Sequence, residues 1–137
     1  MNRTKFQELT KIRVQEANTL LNAGQYPGAY YLVGYAIECA LKACISKQVK
    51  QYDFPDRKLA NEAHTHELEK LVGLAGLKQD FEQDRQNNPN LNLNWTIMKD
   101  WKETSRYDSE ITSQQALDLY SACIGPNGVL PWIKKRW

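Results

Sequence analysis

The run from Ala29 to Ile45, AYYLVGYAIECALKACI, constrains the fold more than any other part of the chain. It is long, apolar and free of helix breakers. Apolar residues fall on nearly every face of a 3.6-residue period, which predicts a helix packed on most sides by others rather than one with a single greasy stripe. Two charges interrupt it. Glu38 and Lys42 are four residues apart and share a face, and Gly34, one turn earlier, leaves room for another side chain or backbone to approach. An unpaired buried carboxylate costs several kcal/mol, so either Lys42 or a distant cation should meet Glu38. Arg106 is the candidate for the distant cation, and an Arg106–Glu38 pair would pin the 102–112 loop over the end of a bundle.

Length and composition fit one domain. The 137 residues suffice for a single core, and 42% hydrophobic with 25% charged residues is globular composition. A net charge of +2 is too small to imply a nucleic-acid partner by itself, and the one dense basic cluster, Lys134-Lys135-Arg136, reads as a solvated tail. Three cysteines, Cys39, Cys44 and Cys123, lack C-x-x-C spacing and read as reduced core thiols. There is no signal-peptide pattern and no 18-residue apolar span, so a soluble, cytoplasmic protein without membrane association is expected.

Taken in order, Thr4-Lys5-Phe6-Gln7 has the form of a capping box and starts a helix. Phe6, Leu9, Ile12, Ala17, Leu20 and Leu21 give it an apolar stripe, Gly24 ends it, and Pro27 starts the next helix after a very short connection. These two should pair antiparallel. The second continues to about Lys50, is broken by Tyr52-Asp53-Phe54-Pro55-Asp56, and gives way to a loop over residues 51–63. A third helix opens near His64-Thr65-His66 and buries Leu68, Leu71, Val72 and Ala75. Leu77 to Gln86 forms a short helix anchored by Leu77 and Phe81, stopped at Asn87-Asn88-Pro89-Asn90. Asn94 caps a segment with Trp95, Met98 and Trp101 on one face. Ser113 caps the last long helix, with Ala116, Leu117, Tyr120, Cys123 and Ile124 inward. After Gly125-Pro126-Asn127-Gly128, the coda docks through Trp132 and Trp137. No segment reads as a strand.

Catalytic and cofactor signatures are absent: no G-x-G-x-x-G, P-loop, G-x-S-x-G or metal-spaced Cys/His set is present, and no metal or cofactor is expected. His64 and His66, at i,i+2, point apart on a helix and cannot share a metal without other ligands. His66 either helps close the first turn of the third helix or acts as a general acid or base. The polar set of interest is Tyr35, Glu38 and Lys42 with Arg106 and Tyr107. It either fastens a loop or, with a histidine, faces a phosphate in a cleft between protomers.

Four pieces carry a family resemblance: A-Y-Y-L-V-G-Y-A-I-E-C-A-L-K-A from Ala29, His66-Glu67-Leu68, Arg106-Tyr107, and G-V-L-P-W-I-K from Gly128. In this order they resemble the HEPN superfamily, and more narrowly its small stand-alone prokaryotic members. The resemblance implies an all-α fold, an up-and-down bundle of four main helices with short extra helices, in one domain over 1–137. It also implies a homodimer that is either a metal-independent ribonuclease or a non-catalytic module. Such a module binds nucleotide, RNA or a partner such as a minimal nucleotidyltransferase, in toxin–antitoxin or defence settings. The family's nucleases carry Arg-x4–6-His near the last long helix, and no histidine follows Arg106. Arg57 and His64 have that spacing, but between the second and third helices. The expectation is therefore a non-catalytic module with Tyr35, Glu38, Lys42, His66, Arg106 and Tyr107 as binding residues. The alternative is a ribonuclease using Arg106 or Arg57 with His64 or His66.

Overall fold

A computed structural model describes residues 2–51 and 57–137, and the described residues form an all-helical fold without strands. Helix α1 spans Arg3–Asn22 and α2 Tyr26–Gln51, followed by α3 (Arg57–Glu62), α4 (Leu68–Leu74), α5 (Lys78–Asn87) and α6 (Pro89–Lys99). A 3₁₀ turn over Glu103–Tyr107 leads to α7 (Ser113–Ile124) and α8 (Val129–Lys134). No helix among the described residues is long and apolar enough to cross a membrane.

Helix α2 is the axis. It packs against α1, α4, the 3₁₀ turn, α7 and α8. From Val33 to Ile45 every side chain except those of Tyr35 and Lys42 is buried, as its all-round apolar pattern requires. Gly24, at φ 75°, turns the chain between α1 and α2, a left-handed position that glycine adopts without strain. At Gly34 the expected close approach is made by Trp101. Its buried indole lies where a β-carbon would sit, only 2.1 Å from that point, and leaves its Nε1 without a hydrogen-bond partner.

Several boundaries and phases differ from the sequence reading. Asn2, not Thr4, caps α1 by accepting from the Lys5 amide, and Thr112 rather than Ser113 caps α7 in a reciprocal capping box with Gln115. The proposed break at residues 52–56 lies outside the described residues, but 57–62 form a helix instead of a loop. The helix expected to open near His64-Thr65-His66 is α4, and it starts at Leu68 rather than at the histidines. Asn88-Pro89 begins α6 instead of only ending α5: Asn88 accepts from the Leu91 amide, and Pro89 occupies the first turn, where its missing N–H is no loss. Asn94 lies inside that helix and donates to the Asn127 carbonyl at 2.9 Å.

The core-facing sides of α1 and α7 are rotated from the expected stripes. Thr10 and Ala17 are buried on α1 while Ile12 is 46% exposed, and on α7 Leu119 and Ala122 are buried while Leu117 and Ile124 are exposed. Thr10 can face the core because its hydroxyl donates to the Phe6 carbonyl at 2.9 Å, which satisfies it within its own helix. The inward sets on α4 and α6 hold as expected: Leu68, Leu71, Val72, Ala75, Trp95, Met98 and Trp101 are all buried.

The coda docks as expected, and by a more specific contact than apolar burial. Trp132 packs 4.4 Å from the Phe81 ring centroid and donates its Nε1 to Asp84 at 2.7 Å. Arg136 lies 3.5 Å over the Trp132 ring and donates to the same carboxylate at 3.1 Å. The basic cluster at 134–136 is therefore partly a clamp joining α8 to α5, not simply a solvated tail.

Candidate functional site

The buried carboxylate exists and is held from two sides. Glu38 is 2% exposed. Its Oε2 accepts from Lys42 Nζ at 3.1 Å, and its Oε1 accepts from His66 Nδ1 at 2.9 Å. Lys42 reaches it because i and i+4 stack on one helix face. His66 reaches it because α4 packs on α2, which carries the segment just before α4 across the Glu38 turn. The Lys42 side chain is 16% exposed and that of His66 48%, so the acid is inside while both partners keep contact with water. Each carboxylate oxygen thus has a nitrogen donor, the condition for burying such a charge without a prohibitive cost.

Arg106 does not join this set. It pairs with Glu103 Oε1 at 3.0 Å within the 3₁₀ turn, and its guanidinium lies 4.7 Å over the Tyr107 ring. The expected Arg106–Glu38 pin is replaced by a local i,i+3 pair that keeps the guanidinium at the surface, avoiding the desolvation that a contact with buried Glu38 would require. What fastens the 3₁₀ segment to α2 is Trp101 over Gly34, with Tyr31 6.1 Å from its ring and Tyr35 stacked 6.0 Å from Tyr31. Tyr35 is half-buried and lies one turn before Glu38, and burial raises its hydroxyl pKa, with Cys39 and Glu38 adding to the effect. Tyr107 is largely exposed. Arg57 is exposed at the start of α3, and His64 is exposed between α3 and α4.

Two depressions flank the Glu38 assembly. A groove of about 800 Å³ is lined by His66, Trp101, Glu103 and neighbours. Its charged residues are Glu67, Glu69, Asp100 and Glu103 against Lys99 and Lys102, so acids outnumber lysines. A second cleft, of about 460 Å³, is lined by Lys42 and His64 together with the start of α1. Glu38 therefore sits between them, holding His66 of the groove with one oxygen and Lys42 of the cleft with the other. Among the described residues no three His, Cys, Asp or Glu side chains converge as metal ligands.

The three cysteines are free and buried. Burial raises the Cys39 and Cys44 thiols to about 11 and Cys123 to about 12, the opposite of the depressed values that mark reactive thiols. Because the folded state keeps these protons while an unfolded chain releases them near pH 9, this contribution is intact below about pH 9. It is lost as pH rises towards about 11 and then about 12. Denaturant midpoints should fall across that window, and a midpoint that stays level through it would contradict the assignment of all three thiols to the core.

Sequence reasoning found Glu38, Lys42 and His66 but not that they form one cluster, and it missed Arg3 and Phe6 as walls of the second cleft. Phe6 was visible as the first residue of the α1 stripe. Its place on an open rim depends on where α3 falls, which periodicity does not encode. No family model, characterised protein or solved structure matches the chain.

Proposed function

We propose that this chain is a non-catalytic binding module of the HEPN type, a cytoplasmic two-fold homodimer that engages a nucleotide, RNA or a protein partner. In support of an up-and-down arrangement of four main helices, α1 packs on α2, α2 on α7 and α7 on α6. The observation that carries the non-catalytic reading is the Glu38 assembly. His66 Nδ1 is committed to a buried carboxylate that Lys42 also holds, while Arg106 is engaged with Glu103. These contacts give the histidine and the arginine structural partners. The excess of acids in the His66 groove opposes a phosphate backbone and favours a basic protein surface. Among the three ligand classes this favours a protein partner, such as a minimal nucleotidyltransferase of a toxin–antitoxin or defence pair.

One observation keeps a ribonuclease reading alongside. Glu103, the partner of Arg106, lines the same groove as His66, which links the arginine to that depression through its ion pair. In that reading His66 would act on the ribose 2′-hydroxyl and Arg106 on the phosphate, with His64 and Arg57 as the other candidates. Labelled RNA incubated with the purified protein in EDTA separates the two. The module reading predicts no cleavage above the His64→Ala/His66→Ala double variant. Cutting by the wild type that disappears in the double variant would establish the nuclease instead.

A further inference from the structure

The cleft between the start of α1, the C-terminal half of α2 and α3 has a composition unlike that of the His66 groove. Its walls are apolar, from Phe6, Ile45, Val49, Ala60 and Ala63, and its charged lining residues are all basic or imidazole: Arg3, Lys42 and His64. No acid lines it. At about 460 Å³ it falls in the range of small-molecule sites, about 300–1,000 Å³.

Two of the cations are held in place by other contacts. Lys42 is fixed by Glu38, which uses one of its three ammonium donors. Arg3 donates through Nη2 to the Trp137 carbonyl, and its Nε, shielded from solvent, has no hydrogen-bond partner. A guanidinium immobilised at one end is preorganised for an anion, because little side-chain freedom remains to be lost on binding. Apart from these groups, among the described lining residues only Asn2 and Ser46 offer polar side-chain atoms, too few for a base, a ribose and a phosphate together. Apolar walls with a cationic edge fit an alkyl chain ending in an anion.

We propose that this cleft binds a single-headed anionic amphiphile, an alkyl chain of medium length carrying a carboxylate or a phosphate monoester. Arg3 and Lys42 receive the head, and the α2 and α3 side chains cover the tail. The site is separate from the His66 groove and does not depend on the HEPN reading. Nor does it need a covalent step: it is a binding equilibrium set by apolar burial and charge-assisted hydrogen bonds.

Calorimetric titration of the full chain with decanoate, decyl phosphate, decylamine, acetate and adenosine monophosphate tests it. Saturable binding of decanoate or decyl phosphate is expected, with decylamine, acetate and the nucleotide at least about tenfold weaker. The tighter of the two anions identifies the head group. Arg3→Gln should weaken the anion by about tenfold. Because that change also removes the contact with Trp137, Ala60→Trp, on an exposed turn of α3, provides a second variant that fills the cleft and leaves the cations intact. It should abolish binding while leaving the melting temperature near that of the wild type. Equal binding of decylamine, tighter binding of the nucleotide, no saturable anion binding, or anion binding that survives Ala60→Trp would each overturn the proposal.

Discussion

Glu38→Ala is expected to destabilise the protein by about 3 kcal/mol, a fall in melting temperature on the order of 10 °C. The change removes only one methylene besides the carboxylate, so lost apolar packing accounts for about 1 kcal/mol at most. The cost arises because Lys42, only 16% exposed, and the Nδ1 of His66 lose their common acceptor. Both can turn partly towards water, which places the expected loss at the low end of that for a broken buried pair. Glu38→Gln should cost clearly less, since an amide still offers an oxygen to Lys42 and an N–H₂ to a neutral imidazole. His66→Ala should cost about 1 kcal/mol, the value of a hydrogen bond whose partner retains a second donor. Urea unfolding of the three variants checks this order. A Glu38→Ala midpoint equal to wild type would mean the carboxylate is not buried.

Gly34→Ala, which adds a single methyl group, should also be clearly damaging. An added β-carbon would lie 2.1 Å from two atoms of the Trp101 indole and 2.2 Å from its Nε1. Trp101 is 2% exposed and has nowhere to retreat without displacing the 3₁₀ segment or Tyr31. Overpacking of this kind costs about 3 kcal/mol or more, against a gain of about 1 kcal/mol from replacing a mid-helix glycine, for a net loss of roughly 2 kcal/mol. The sign should change with the neighbour. Trp101→Leu alone costs about 3 kcal/mol, but in that background Gly34→Ala is expected to be neutral or stabilising. Identical effects of Gly34→Ala in both backgrounds would show that the two residues do not touch.

These two residues also mark how far the chain could be read without its fold. The central helix was legible because length, apolarity and the lack of breakers between Ala29 and Ile45 all point to the same structure. Room at Gly34 was legible too; its occupant was not, since Trp101 arrives from 67 positions away through the packing of the 3₁₀ segment on α2. Lys42 follows from i,i+4 geometry, whereas the His66 contact spans 28 residues and depends on how α4 crosses α2. Arg106 was assigned to Glu38 because a buried acid needs a cation, but the nearer Glu103 offers the same charge without desolvation.

The misread phases have a similar cause. Thr10 counts as polar in any pattern yet hides its hydroxyl on the Phe6 carbonyl, while Ile12, Leu117 and Ile124 count as apolar yet stay exposed. Single exposed apolar residues cost little, so pattern alone cannot place them. Helix α3, with Leu59 and Ala60 as its only apolar residues, carries no period to detect. Asn88-Pro89 is ambiguous in sequence, because the residues that stop one helix also cap the next.

The central claim is that α2 runs through the middle of the fold as its best-protected element. Native-state amide hydrogen exchange tests it directly. The amides of residues 33–45 should exchange only through global unfolding, with opening free energies equal to that from denaturant melts and falling together in Glu38→Ala. Exchange of those amides through local opening, well below the global free energy and faster than the amides of α7, would contradict it.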